Sequence, residues 1–446
     1  MSQQTSEAPQ APRGGLRRRF AVGLGAVGVA LAISAGAVVM GGDGQEPAAP
    51  LGGAAVIGAD VRALEAHLKS RPKDDRGWAT LGSARVEEAR TSGDPAGYPR
   101  AADAFERSLK LRREGNDAAL AGRAALAAAR HDFTGALRDA GQALAVNPYS
   151  EQALAVRIDA LVELGRYDQA LKAAEEADLK RPGIPAFTRL AYVLELRGDT
   201  QGANRVLTLA MTSATAPGDI AYVATALGQL TWSQGQYDTA LKHCATALRA
   251  QPRNIAAQEC RARTHAAQGK TAEAIREYEA IVARYPLPGQ LVALGELYEA
   301  AGKDAEARRQ YALIGTWTSL ARAGGVNPDL DTALAAADHG DKAVALKAAQ
   351  AEWQRRRTVH TADALGWALY RNGRAKDALP YARRATATGY RNAVFLYHLG
   401  MVEQAAGAKA PARRSLTRAL SLNPGFSPLA PAEIRRTLKN SAKETS

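Results

Sequence analysis

Residues 221–254 read AYVATALGQLTWSQGQYDTALKHCATALRAQPRN and hold one full copy of a unit that recurs along the chain. One alanine marks each copy, and consecutive marker alanines are 33 to 38 residues apart; they are Ala101, Ala136, Ala170, Ala203, Ala240, Ala274, Ala307, Ala345, Ala378 and Ala412. A glycine stands five residues before each of the last eight, at Gly165, Gly198, Gly235, Gly269, Gly302, Gly340, Gly373 and Gly407. A period near 34 residues that carries a turn residue and a small residue is typical of stacked helical hairpins.

The glycine and the alanine have separate roles in such a hairpin. Glycine adopts the left-handed backbone conformation that ends a helix, and the next helix starts a few residues later. Alanine lets two antiparallel helices approach closely at almost no cost in helix propensity. We therefore predict an all-α solenoid in which each unit packs mainly on its neighbours.

The units share an order of residues: W-x2-L-G, a small residue, an aromatic or apolar residue, a small residue and a proline. This order resembles the tetratricopeptide repeat over about residues 72–426. The resemblance implies about ten helical hairpins in a solenoid over residues 59–426, followed by a C-terminal capping helix and tail at 427–446. Two places depart from the pattern. An insertion lies around residues 91–98, and Glu352 stands where a small residue is expected.

The segment Phe20 to Met40 has 21 residues and no charged side chain, which is long enough for a helix to cross a bilayer. Arginines precede it in the basic tail at 1–19, so the positive-inside rule predicts a cytoplasmic N-terminus and extracytoplasmic repeats. Residues 41–58 are rich in Gly, Ala and Pro and predict a flexible linker. Cleavage after the A-x-A site at Ala35–Ala37 would give a secreted protein instead. The length of the apolar stretch favours an uncleaved, single-pass anchor in the cell membrane.

Cys244 and Cys260 are the only cysteines, so no disulfide framework supports the fold. Export would allow a single bridge between them. We expect instead two small apolar helix residues, because alanine occupies the equivalent places in other units.

The net charge of +13 is concentrated near the C-terminus, since residues 350–446 carry 17 basic and 6 acidic side chains. The arginines involved are Arg355, Arg356, Arg357, Arg383, Arg384, Arg413, Arg414, Arg435 and Arg436. In the family the second helix of each unit faces outward. This surface could therefore bind anionic lipid, an envelope polymer or an acidic protein, or simply keep the solenoid soluble. Nucleic acid fits poorly, because aromatics do not alternate with these arginines.

Motifs that resemble catalytic or cofactor sites lack their context. The G-x-G-x-x-G at 23–28 lies inside the apolar span, and Gly269-Lys270-Thr271 lacks the earlier glycine of a phosphate-binding loop. The seven histidines show no H-E-x-x-H and no zinc-type spacing to cysteine. We predict no catalytic residue, no cofactor and no metal site, and therefore a protein that is not an enzyme.

The resemblance implies that the first helix of each unit lines a concave groove that receives a peptide. Alignment of the units on their Gly and Ala places two aromatic clusters there. The first contains Arg189, Tyr192, Tyr222, Gln229, Trp232 and Arg263, and the second contains Trp367, Tyr370, Tyr397 and His398. Aromatic anchors beside polar groups are common in peptide recognition.

These observations predict a membrane-anchored extracytoplasmic scaffold that binds a protein partner. Residues 72–82, PKDDRGWATLG, are also similar to the repeat opening of bacterial cytochrome c maturation factors, which implies a protein that holds an apocytochrome. A third possibility is an envelope-binding protein that acts through the basic C-terminal repeats. The sequence leaves the partner and the oligomeric state open.

Overall fold

The computed structural model describes residues 53–92 and 95–443. Within these ranges the chain forms 22 α-helices and no strand. The first eleven are α1 Gly53–Ser70, α2 Asp75–Ser92, α3 Tyr98–Leu111, α4 Asp117–Ala129, α5 Phe133–Val146, α6 Glu151–Glu163, α7 Tyr167–Lys180, α8 Ile184–Leu196, α9 Thr200–Ser213, α10 Pro217–Ser233 and α11 Tyr237–Ala250. The others are α12 Ile255–Ala267, α13 Thr271–Val282, α14 Pro288–Ala300, α15 Asp304–Ala323, α16 Asp329–His339, α17 Lys342–Arg355, α18 Val359–Arg371, α19 Ala375–Ala385, α20 Ala393–Ala405, α21 Lys409–Leu422 and α22 Ala430–Lys443. A short 3-10 helix, Pro95–Gly97, precedes α3 at the predicted insertion.

The helices pair as ten antiparallel hairpins in the described part of the chain, from α2 with α3 to α20 with α21. Each even-numbered helix from α2 to α20 is the first of a hairpin, and the following odd-numbered helix is the second. Helix α1 packs on the first hairpin, and α22 packs on the last. The predicted all-α solenoid is confirmed.

The marker residues behave as the sequence predicts. All ten marker alanines are at most 1% exposed, so they lie at the closest helix contacts. Seven of the eight glycines have a positive φ, whereas Gly340 is extended. The residue after the glycine is the N-cap of the next helix, as at Asp199 before α9, whose carboxylate accepts a hydrogen bond from the Gly202 N–H at 2.7 Å. In the hairpin of α4 and α5, His131 takes the left-handed position with φ 62°.

The largest buried apolar cluster joins hairpins that are far apart in the sequence. It contains Ile158 and Leu196 from the first half of the solenoid and Trp367 and Phe395 from the second half. The solenoid therefore coils into a superhelix whose first and second turns touch each other.

The predicted membrane span at 20–40 and most of the predicted linker lie outside the described residues. Among the helices of residues 53–92 and 95–443, none is both long enough and apolar enough to cross a membrane.

Candidate binding face and the contact between turns

Arg189, on α8, holds an internal ion pair. Its Nε and Nη2 atoms donate to the two carboxylate oxygens of Asp159 on α6 at 2.9 and 2.8 Å. Arg189 is 6% exposed and Tyr192 is 7% exposed. Arg189 therefore links neighbouring hairpins, and Tyr192 lies in the buried cluster that joins the two halves of the solenoid.

Trp232, near the end of α10, is the centre of the accessible part of the first cluster. The Arg263 guanidinium of α12 lies over its indole ring, 5.1 Å from the centroid, and Arg263 also pairs with Glu259. Trp232, Tyr222, Gln229 and Arg263 are all half-buried. Trp232 also packs against the largest buried cluster, so part of an aromatic ring and the cation over it are accessible on α10 and α12.

The second predicted cluster is a stack of rings between α18 and α20. The Trp367 ring lies 3.9 Å from that of His398 and 4.9 Å from that of Tyr370, centroid to centroid. Trp367, Tyr397 and His398 are 3%, 7% and 7% exposed, and Tyr370 is half-buried.

Three polar atoms of this stack are already paired inside the chain. The Trp367 indole N–H donates to Asp338 at 2.9 Å, and the Tyr397 hydroxyl donates to Glu433 at 2.6 Å. The His398 Nδ1 lies 2.9 Å from the Asp363 carboxylate. The cluster therefore joins successive first helices, and of its members only Tyr370 has substantial exposure to solvent.

A set of contacts at sequence separations of 188 to 196 residues joins the two turns of the superhelix. We call this set the inter-turn seam. It pairs Arg90 with Tyr285, His131 with Asn327, Glu163 with Arg356, Tyr167 with Val359, and Tyr237 with Gly425. The turn inside a hairpin of the first half meets the loop between two hairpins of the second half.

A buried charge cluster lies at the middle of the seam. Arg356, 4% exposed, makes ion pairs with Glu163 of the first turn and with Glu352 one helical turn earlier. Glu352 also accepts hydrogen bonds from Arg355 at 2.6 Å and from the Asn327 side-chain amide at 3.3 Å. Glu352 departs from the repeat pattern because a carboxylate is needed there to hold Arg356.

His131 and Phe133 complete the first-turn side of this cluster. The Asn327 carbonyl oxygen lies 2.8 Å from His131 Nδ1, which must therefore carry the proton and donate it. Burial, together with the nearby Arg356 charge, lowers the pKa of His131 to about 4, so the ring is neutral at pH 7. The Phe133 ring faces Arg356, whose guanidinium carbon lies 5.0 Å from the ring centroid.

Tyrosine hydroxyls fix the seam on either side of the charge cluster. The Tyr167 hydroxyl accepts the Val359 N–H at 2.9 Å, and the Tyr237 hydroxyl accepts the Gly425 N–H at 2.7 Å. Phe133, Tyr167 and Tyr237 all stand two residues after the left-handed residue of a first-turn hairpin. The equivalent second-turn positions hold Asp304, Lys342, Ala375 and Lys409. This difference is a sequence signal for the seam, and our sequence analysis missed it.

The seam predicts different effects for two glycines with the same backbone conformation. Gly198 has φ 84°, and a Cβ there would lie 2.5 Å from the Gly389 carbonyl oxygen of the second turn. Gly373 has φ 74°, and apart from its own chain neighbours no atom of the described residues lies within 4 Å of a Cβ there. Both changes to alanine should cost about 1 kcal/mol for the left-handed conformation. Gly198→Ala should lose a further ~1–3 kcal/mol from overpacking.

Urea unfolding of the Gly198→Ala and Gly373→Ala proteins measures this difference. Small-angle scattering should also show a larger radius of gyration for Gly198→Ala, because the turns must separate. Equal losses of stability and unchanged scattering would contradict the seam.

Cys244 on α11 and Cys260 on α12 form a disulfide, with their Cα atoms 5.8 Å apart. The expectation of two unlinked apolar residues is therefore wrong. The second helix of one hairpin and the first helix of the next face each other here, which brings the two side chains together. Gly228 makes room for the bridge, because a Cβ at that position would lie 2.6 Å from the Cys260 sulfur.

Comparison with known proteins gives the nature of the repeats. A sequence profile of the tetratricopeptide repeat family matches residues 225–287, 261–315 and 364–426, which is less than half of the chain. No curated protein matches the chain.

Among solved structures, a thermophilic TPR protein of Thermus thermophilus is 24% identical, with 43% of this chain and 98% of that chain covered and a TM-score of 0.38. A tetratricopeptide repeat protein of Parabacteroides merdae is 19% identical, with 58% and 98% covered and a TM-score of 0.34. The APC/C hetero-tetramer Cut9–Hcn1 is 12% identical, with 86% and 81% covered and a TM-score of 0.43. On the sequence profile, residues 225–315 and 364–426 of this solenoid carry tetratricopeptide repeats.

Proposed function

We propose that this protein is a membrane-anchored, extracytoplasmic scaffold that binds a protein partner and has no enzymatic activity of its own. The tetratricopeptide repeats support the binding role, because such repeats generally mediate protein–protein interaction. The half-buried face of Tyr222, Gln229, Trp232 and Arg263 offers the aromatic and cationic groups that peptide recognition uses. This face is the observation on which the proposal mainly depends.

The Cys244–Cys260 disulfide supports the proposed compartment. Structural disulfides persist in oxidising environments outside the cytoplasm and are rare within it. The bridge therefore agrees with the orientation that the charges around residues 20–40 predict.

The cytochrome c maturation resemblance has a local structural explanation. Trp78, its most distinctive residue, donates its indole N–H to the Pro72 carbonyl oxygen at 2.9 Å. The Arg107 guanidinium carbon lies 4.7 Å from the centroid of the same ring. Trp78 thus closes the loop before α2 and packs on the second helix of its hairpin, and we keep the apocytochrome-holding role only as an alternative.

The envelope-binding alternative loses part of its basic surface to the fold. Arg355 and Arg356 are paired in the seam, while Arg357 and Arg384 face the Trp353 ring at 5.8 and 5.3 Å. Only Arg356 is buried, and Arg355, Arg357 and Arg384 stay exposed beside these contacts. The other exposed arginines of the set are Arg383, Arg413, Arg414, Arg435 and Arg436. Binding through these side chains would weaken with rising salt, whereas aromatic recognition at Trp232 would change little.

Photo-cross-linking in intact cells tests the proposed binding face. A photoreactive amino acid in place of Gln229 should give a cross-link to a partner protein, and the Tyr222→Ala change should reduce it by about tenfold, as expected for ~1.4 kcal/mol of lost binding. The matched control is the same probe in place of Gln350, an exposed position on α17. Equal cross-linking from both positions, or none from Gln229, would contradict the proposal.

A further inference from the structure

Four large apolar side chains are exposed along one edge of the first superhelical turn. Leu111, Val146, Tyr149 and Leu179 are 45%, 44%, 60% and 86% exposed. Leu111 and Val146 end α3 and α5, Leu179 is next to last in α7, and Tyr149 follows α5. Their equivalent places in three successive hairpins put them in one row, which we call the apolar edge.

The seam shows that the apolar edge is an end of the superhelix. The second turn covers the opposite ends of these hairpins, where His131, Gly165 and Tyr167 meet residues 327 and 357–359. Within the described residues, no second-turn segment covers the loops at the apolar edge, as their exposure shows. This edge therefore offers a surface for something outside the solenoid.

The charges beside the apolar edge are mainly positive. Residues 111–115, 146–150 and 179–183 contain four basic side chains and one acidic side chain. Arg112 pairs with Asp75 and Lys180 with Glu176, whereas Arg113 and Arg181 are exposed. Leucine, valine and tyrosine flanked by arginine are the groups that enter the headgroup region of an anionic bilayer.

The chain before α1 is long enough to allow this contact. The predicted span ends at Met40 and α1 begins at Gly53, so twelve residues separate them. Twelve extended residues reach about 40 Å, at roughly 3.3 Å each. Helix α1 ends at Ser70 on the side of Leu111, since Arg112 pairs with Asp75 at the start of α2, so Gly53 lies one helix length, about 27 Å, from the row. This is less than the reach of the twelve residues, so the row that starts at Leu111 lies within reach of a membrane that holds residues 20–40.

We propose that the apolar edge rests on an anionic lipid bilayer, with Leu111, Val146, Tyr149 and Leu179 in the headgroup region and Arg113 and Arg181 at anionic lipids. The proposal rests on the proposed membrane anchoring. In this orientation the N-terminal end of the superhelix contacts the bilayer, and the second turn lies away from it.

An environment-sensitive fluorophore can report the contact in the full chain. Tyr149→Cys provides one labelling site, and Val344→Cys, 47% exposed on α17, provides the matched control. Both proteins are reconstituted with vesicles that contain phosphatidylcholine alone or with phosphatidylglycerol. We expect a blue shift, and quenching by headgroup-labelled lipid, only for the label at 149 and only with phosphatidylglycerol. The Leu179→Glu, Arg181→Glu double change should abolish both the blue shift and the quenching. The control change Leu209→Glu should leave both signals unchanged.

Alkaline extraction of the same vesicles separates this proposal from the anchoring proposal. A protein that resists extraction but gives no shift at 149 overturns the edge contact alone. A shift at 149 in a protein that is extracted overturns the anchor alone. A protein that is extracted and gives no shift at 149 overturns both proposals. A shift of equal size at 344 also contradicts the edge contact.

Discussion

The Arg356→Met protein should be about 3–5 kcal/mol less stable than the unchanged protein, because the change leaves the buried Glu163 carboxylate without its cation and leaves Glu352 with Arg355 alone. Arg356 is 4% exposed and pairs with both Glu163 and Glu352. Burial already raises the pKa of Glu163 to about 7, although the Arg356 charge opposes that rise. Urea unfolding followed by circular dichroism measures the loss, and hydrogen exchange at residues 356–371 locates it.

The loss should depend on pH in a defined direction. Without Arg356, the pKa of Glu163 rises further. The pKa of Glu352, which burial raises but Arg356 and Arg355 together hold below its usual range, rises as well, so the fold favours protonated carboxyl groups at low pH and must ionise them as pH rises. The Arg356→Met protein should therefore be less impaired at pH 5 than at pH 8. Arg414→Met, at an exposed position on α21, should change stability by less than about 0.5 kcal/mol at either pH.

A combined variant separates the charge effect from the loss of packing. Adding Glu163→Gln and Glu352→Gln to Arg356→Met removes the unpaired charges and should recover much of the stability, with little remaining dependence on pH. If Arg356→Met lowers the free energy of unfolding no more than Arg414→Met does, Arg356 does not hold the turns together.

The repeat architecture was readable from the sequence because its contacts are local. The marker alanines and turn glycines act within one hairpin, so each copy carries its own signal. The contact between turns joins residues about 190 positions apart, and no periodic pattern encodes such a distance. Glu352 signalled the contact as a departure from the repeat, but Glu163, the carboxylate that shares Arg356 with it, could not be inferred.

The candidate binding face could be predicted only in part from the sequence, for a related reason. Aligning the units on their glycine and alanine indicates which side of a first helix a residue occupies. Register does not indicate whether another helix covers that side. Trp367 and His398 pack between helices, whereas Trp232 and Gln229 keep part of their surface. Tyr192 is covered because its hairpin lies against the second turn, which the register of one unit cannot show.

The Cys244→Ala, Cys260→Ala double variant should lose about 3 kcal/mol of stability, because the bridge closes a loop with a sequence separation of 16 residues. Cys244 and Cys260 are 0% and 5% exposed, and Gly228 leaves the space that the sulfurs fill. The two alanines would also leave a small cavity between α11 and α12, which adds to the loss.

Urea unfolding with and without dithiothreitol provides the control for this prediction. Reductant should lower the stability of the unchanged protein toward that of the double variant and leave the double variant unaffected. Unfolding without reductant, followed by alkylation and mass spectrometry, should add no alkyl group to the unchanged protein. Two added groups in protein isolated from its native cells would mean that the thiols are free there, and the argument for an oxidising compartment would fail with the bridge.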